Sequence, residues 1–317
     1  MNRLISGTIF ILSFLILAAA PVPAWDGLTT SSEHFTIFYH RENAPAAQDL
    51  LTTGEREFSR VTGIIGHRPA GVIEIYLAQD PEEFRLLTLG RIPEWGIGAA
   101  VPGRRRIVLI SPGSSPREAD THKVLVHELS HVVLGQALGD ARVPRWLEEG
   151  LAMYISHEWR LGQSVLVARA LLFDSLIPLE RISTVNSFSR ARANLAYTES
   201  YLAIAFILDR YGETRLHQLV HDLARHGDID LAMQTSLGLT YREFLMAWND
   251  YVTRRYHWAS VLSNPVILWL LILSLFLLAF ALKRRHSRRV LRRWKMDEEV
   301  WSEPSESEGT EERWLAR

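Results

Sequence analysis

The chain has no cysteine in 317 residues. That absence excludes disulfides, thiol catalysis and metal sites built on thiolates. It is compatible with an oxidising compartment without requiring one. Excess charge is missing as well: 35 basic residues stand against 36 acidic ones, a formal net charge of −1. No global field points to nucleic acid, and none is expected as a partner. The sequence also lacks internal repeats. Apolar side chains are plentiful, 47% of the chain, which suits a folded core plus a membrane segment.

Two apolar runs stand apart from the rest. The first extends from about Leu4 to Ala20 behind Arg3 and closes on Pro21-Val22-Pro23-Ala24. Residues 1–24 therefore read as a secretory signal peptide, with an uncleaved signal anchor as the alternative. The second covers residues 264–282 and, with its flanking residues, is long enough to span a bilayer as a helix. "KRRHSRRVLRRWK" follows at once, a basic cluster that marks the cytoplasmic side. Its position against the span argues against a nucleic-acid role. The expected protein is a single-pass component of the cell (inner) membrane. Residues 25–260 face the periplasm or the exterior, and residues 283–317 form a basic, then acidic, cytoplasmic tail. Residues 297–312, rich in Glu and Ser, should be disordered.

Within residues 25–260 the first half is strand-rich. Phe35, Ile37 and Tyr39 alternate on one face of a strand. Leu50, Leu51, Phe58 and Val61 keep helical spacing, which predicts an amphipathic helix over about 43–63. "GVIEIYLA" (71–78) reads as a strand, and "PEEFRLLTLG" as a short helix capped by Asp80. "GIGAAV" (96–101) and "RIVLIS" (106–111) read as two more strands joined through Pro102-Gly103. Ser115, Pro116 and Glu118 then form a helix start, and Gly139 a stop, which predicts a helix over about 116–138.

That helix contains His127-Glu128-Leu129-Ser130-His131. Histidines four apart share one helix face, so both imidazoles can take corners of a tetrahedral Zn²⁺. Glu128 sits beside the first of them and can reach a metal-held water instead of the metal. The flanking residues, "KVLV" and "VVLG", are apolar. Buried histidine and glutamate are costly unless paired or bound to metal. A catalytic zinc takes a third protein ligand and leaves a fourth position open. "PRWLEEGLA" (144–152) supplies a candidate on a second helix, expected over about 144–159.

These motifs resemble the gluzincin branch of zinc metallopeptidases, in particular the peptidase MA-like families. They are also similar to the aminopeptidase-N-like family, in which a second helix carries "W-L-x-E-G-x-A". Here that run is Trp146-Leu147-Glu148-Glu149-Gly150-Leu151-Ala152, and the family ligand maps to Glu149, with Glu148 as its rival. Seventeen residues separate His131 from Glu149, one fewer than is usual in aminopeptidases. "AYTESYLAIAFILDRYG" (196–212) resembles the helix whose opening tyrosine stabilises the transition state, and that role maps to Tyr197. The resemblance covers roughly residues 31–255. It implies an α+β fold, a small mixed sheet followed by a helical catalytic lobe, with the C-terminal transmembrane helix added. It also implies a peptide or protein substrate.

In related peptidases the edge strand before the zinc helix binds substrate backbone by strand addition. Gly98, Ala99 and Ala100, with Gly96, would let a peptide approach closely, although an ordinary edge strand fits the same residues. The aminopeptidase Gly-x-Met-Glu-Asn run is missing here, so endopeptidase and exopeptidase activity both remain open. The implied mechanism is hydrolysis by a zinc-activated water, with Glu128 as general base and Tyr197 donating to the oxyanion. A non-catalytic, membrane-tethered module with a structural or vestigial zinc site is the alternative.

The remaining sequence is mainly helical. "GQSVLVARALLFDSLIPLERI" (162–182) reads as helix and loop, and "SFSRARANLA" (187–196) as mobile. Helices are expected over 196–211 and 213–226, and another behind the Thr240/Glu243 capping box. Phe244, Trp248 and Tyr251 read as core packing. His217 and His221 read as surface residues, and "RRYHWASVLSN" (254–264) as a linker to the membrane.

Overall fold

A computed structural model describes residues 27–88, 97–101, 103–114, 120–159, 161–182, 189–262 and 265–302. The signal-peptide reading lies outside them, as do Gly96, Ser115, Pro116 and Glu118. The chain divides into two compact units. One joins the described residues up to Trp159 with Leu179–Phe244; the other joins Arg160–Pro178 with Leu245 onward.

The first unit is built on a five-stranded mixed sheet. Its strands are β1 (Leu28–Ser31), β2 (Phe35–Tyr39), β3 (Ile73–Ala78), β4 (Gly98–Ala100) and β5 (Arg106–Ile110), in the order β1-β2-β3-β5-β4. β2, β3 and β5 run parallel, while β1 and β4 are antiparallel edges. β1 pairs Leu28 with Tyr39 and Ser31 with Thr36. Its polar, largely exposed sequence carries no alternating apolar signal, so pairing with β2 makes it a strand.

Parallel strands need a crossover. Between β2 and β3 it is α1 (Ala44–Ile65), and between β3 and the β4–β5 hairpin the chain passes through α2 (Pro81–Leu87). Asp80 caps α2 by accepting from the Glu82 and Glu83 N–H groups at 2.9 and 2.8 Å. Period-2 alternation gives the sheet two apolar faces. Phe35, Ile37, Ile73, Ile75, Ile107 and Leu109 are fully buried on one of them, where Phe35 meets Phe58 of α1 edge-on. On the other, Tyr76, Ala78, Ala99, Val108 and Ile110 pack with Phe84 and Leu87 of α2.

Helix α3 (Thr121–Leu138) carries the paired histidines and packs against α1, β4, β5 and α4 (Arg145–Ile155). It is apolar on most sides, as a helix enclosed by neighbours must be. The described helix begins at Thr121 and not at 116. Asp120 is its N-cap, with the Lys123 N–H donating to Oδ1 at 3.4 Å. Its end at Gly139 is where the sequence places it.

Helix α4 packs along α6 (Arg190–Tyr211), and α7 (Glu213–His226) along α8 (Ile229–Leu237). Residues 190–196, expected to be mobile, are the first turns of α6, so Tyr197 lies well inside a helix instead of opening it. α8 had no counterpart in the sequence reading. His217 is half-buried and not on the surface: its Nε2 lies 3.1 Å from the Ile64 carbonyl oxygen. Thr240 and Glu243 form the expected capping box, with the Thr240 N–H donating at 2.8 Å and the Glu243 N–H at 3.2 Å. It opens α9 (Tyr241–Leu262).

The second unit holds α5 (Leu161–Leu172), the later turns of α9 and α10 (Pro265–Ser302). Residues 254–262, expected as a linker, continue α9 as helix. α10 runs through the apolar stretch, the basic cluster and on to Ser302, so residues 297–302 are helical and not disordered. Within it Val266–Trp294, 29 residues, is long and apolar enough to cross a membrane, and none of its apolar window is buried.

Candidate metal centre

Two helices of the first unit build the site. On α3, His127 and His131 project side by side, their ring centroids 4.9 Å apart. From α4, the Glu149 Oε2 reaches to 3.6 Å from the His127 Nε2 and 3.8 Å from the His131 Nε2. One donor atom from each of the three lies within 4.8 Å of the others. A tetrahedral zinc with bonds of about 2.0–2.1 Å sets its ligand atoms roughly 3.4 Å apart. Two nitrogens and one oxygen therefore converge at nearly the required spacing, and they are the donor types that zinc accepts. His127, His131 and Glu149 could hold the ion. Glu148, one residue away, is not part of this group.

Partners outside the group fix two of the three donors. The His127 Nδ1 lies 2.7 Å from the Glu158 Oε1, which points its Nε2 at Glu149. Glu158 is steadied by the Ser156 hydroxyl, donating at 2.6 Å. The backbone places Glu158 by closing α4 with a Schellman turn. The Glu158 N–H donates to the Met153 carbonyl and the His157 N–H to the Tyr154 carbonyl. His157 occupies the left-handed position at φ 54°, where glycine is the usual occupant. The second Glu149 oxygen, Oε1, forms an ion pair with the Arg145 guanidinium at 2.7 Å. The Tyr197 phenol of α6 lies close enough to feel the charges of both Arg145 and Glu149, which brings it to the same cluster. Sequence reasoning missed Arg145, Ser156 and Glu158. Arg145 could have been noticed one helical turn before Glu149; nothing local marks Glu158.

Glu128 projects from α3 toward the edge strand, where its Oε2 accepts from the Ala100 N–H at 2.7 Å. Val101 and Ile97 use their backbone groups on β5, so the intervening Gly98 and Ala100 face away from the sheet. Gly98 leaves no room for a side chain: an added Cβ would lie 2.4 Å from Val124 and 3.0 Å from Glu128. Ala99 points the other way and is buried under the sheet with the α2 cluster.

Burial dominates the electrostatics. It raises the Glu128 carboxyl to about 7; the His127 charge opposes this and Glu149 reinforces it. Burial lowers His131 to about 4. It would lower His127 too, but the Glu149 and Glu158 carboxylates outweigh it and hold that imidazole well above its ordinary value. Glu149 shows the reverse balance. Burial would raise it, yet His127, His131 and Arg145 bring it down to about 2. Tyr197 is pushed up to about 12 by burial and by Glu149.

The comparison with known families bears on this geometry. Residues 53–254 match the Peptidase MA superfamily, a span that includes α3, α4 and α6. The chain belongs to that superfamily. It therefore has a peptidase-like fold whose His-His-Glu group sits where a metal could be held. The chain is also similar to the uncharacterized protein YhcO of Bacillus subtilis (strain 168), at 24% identity over 172 residues. That match covers 52% of this chain and 50% of the relative, so the chain spans about half the relative's length.

Proposed function

We propose that this protein is a membrane-anchored zinc metallopeptidase. The observation that carries the reading is the Glu149 Oε2, 3.6 and 3.8 Å from two imidazole nitrogens, with Glu128 on the same helix as those imidazoles. Superfamily membership supports it, since these proteins are typically zinc-dependent. His127, His131 and Glu149 are assigned as the ligands. Zinc bound there supplies a Lewis acid that acidifies water and polarises a carbonyl.

The chain's own groups carry the remaining chemistry. Glu128 receives the proton of the attacking water and returns it to the leaving amine. Tyr197 donates its hydroxyl hydrogen bond to the substrate oxygen that gains charge. Glu158 keeps the His127 ring in one orientation and one tautomer. The outward backbone groups of Gly98 and Ala100 align an extended peptide along β4, and Ala99 anchors that strand from the far face. Substrate binding must share or displace the Ala100 N–H that Glu128 now occupies. Residues 264–282 are assigned as the membrane span, with residues 25–260 extracytoplasmic and residues 283–317 on the cytoplasmic side. Residues 1–24 are assigned as the export signal.

Metal analysis of the detergent-solubilised full chain, followed by peptide-library cleavage, tests this reading. The expected result is about one zinc per chain, cleavage by the wild type and none by Glu128→Gln, which should still load zinc. Zinc uptake without cleavage by either protein would instead favour a non-catalytic tethered module. A Glu128→Gln variant as active as the wild type would sink the mechanism.

A further inference from the structure

Arg145 is out of place by local rules. It is the first residue of α4, behind the Pro144 N-cap, where the helix dipole disfavours a cation. Its i,i+4 partner is Glu149, and a cation preceding an acid is the weaker order for such a pair. It also adds a positive charge beside a group of donors suited to a metal cation. Neither helix stability nor metal attraction accounts for it. A residue that breaks local rules at a site points to a role in that site.

The geometry supplies that role. The Glu149 carboxylate is divided between two tasks: Oε2 faces both imidazoles, and Oε1 is held by the Arg145 guanidinium at 2.7 Å. Glu149 is almost fully enclosed, its side chain only 6% exposed, so water cannot easily substitute for that contact. The Tyr197 phenol lies near the same pair and feels the charge of each. A guanidinium is a planar fork that can serve two acceptors at once; an ammonium is a single point charge.

We propose that Arg145 is the positioning residue of the metal centre. It keeps Glu149 to single-oxygen ligation by holding Oε1 away from the two imidazoles. This rests on the metal-centre reading above. Single-oxygen ligation leaves a coordination position that a carboxylate bound through both oxygens would fill. Without Arg145, Oε1 is free to turn inward.

Cobalt(II) reports this directly, because four-coordinate cobalt absorbs visible light far more strongly than five-coordinate cobalt. The full chain should load cobalt with the strong four-coordinate spectrum. Arg145→Gln should convert it to the weak five-coordinate one. Arg145→Lys should recover the strong spectrum through the charge on Oε1. Infrared difference spectra of the zinc-loaded wild type supply a readout that needs no variant to fold: Glu149 should show the wide carboxylate splitting of single-oxygen ligation. A narrow splitting in the wild type overturns the inference, as does a folded Arg145→Gln variant with the wild-type cobalt spectrum. A wild type that takes up neither cobalt nor zinc refutes the metal centre itself, and this role with it.

Discussion

Replacing Gly150 by alanine sets two physical rules against each other. Glycine inside a helix costs about 1 kcal/mol relative to alanine, so propensity alone predicts that Gly150→Ala stabilises the protein. Packing predicts the opposite. An alanine Cβ at position 150 would lie 2.3 Å from the Ser200 carbonyl oxygen and 2.8 Å from the Ile204 Cγ1, where ordinary contact begins near 3.4 Å. Because the nearest atom is backbone, no rotamer change relieves it. α4 and α6 must part by roughly 1 Å. Overpacking of this kind costs about 1–3 kcal/mol, enough to reverse the propensity gain. For a unit of this size each kcal/mol shifts Tm by about 2–4 °C, so a fall of a few degrees is expected. The site should suffer more than the fold. Glu149 directly precedes Gly150, and Tyr197 lies one turn before Ser200, so the two would separate. Misplacement by about 1 Å can cost about 10²-fold in rate. Thermal melts, chelator competition for zinc and peptide cleavage read these effects separately. If Gly150→Ala is as stable as the wild type or more so, with unchanged zinc affinity and rate, the two helices are not this close.

Three further outcomes follow from the same geometry. Glu158→Ala removes the acceptor of the His127 Nδ1 and should weaken zinc binding by about 10–100-fold in chelator competition; Glu158→Gln, which can still accept, should lose less. Tyr197→Phe should leave substrate affinity intact and slow turnover by about 10²–10³-fold, and an unchanged rate would remove that hydroxyl from the site. Zinc affinity should fall as pH falls, because the metal-free protein holds a proton on His127, whose value is raised, and zinc must displace it. His131, lowered to about 4, adds no proton near neutrality. In a Glu128→Gln background, which removes the carboxyl raised to about 7, calorimetry should find about one proton released per zinc between pH 5 and 6. Release of two protons would contradict the assignment.

Much of this arrangement was legible in the chain itself. The four-residue histidine spacing with Glu128 between, the helix stop at Gly139, the Asp80 cap and the Thr240/Glu243 box all act over a few residues, and each appears as read. Trp146 and Gly150, read only as a motif, acquire physical reasons. The Trp146 ring is fully buried, stacks on Phe244 at 5.4 Å and donates to the Tyr241 hydroxyl at 3.0 Å; Gly150 admits the α6 backbone. What the sequence left out and what it misled on share a cause. β1 is polar and exists because β2 offers it hydrogen bonds, while residues 190–196 look like a loop by composition but continue a packed helix.

The sequence by itself determined which side chains could hold a metal and which carboxylate could serve as base, because those choices follow from residue type and helical period. It also marked the long apolar segment, since a span is a matter of length and composition. Only the tertiary structure puts Glu149, and not Glu148, beside the two histidines, because that depends on which way α4 is turned toward α3. The folded chain alone brings Glu158 back to His127 through a left-handed turn at a histidine, and carries Tyr197 from α6 to the neighbourhood of Glu149. Both approaches join residues on different elements, and their geometry arises only when the chain packs.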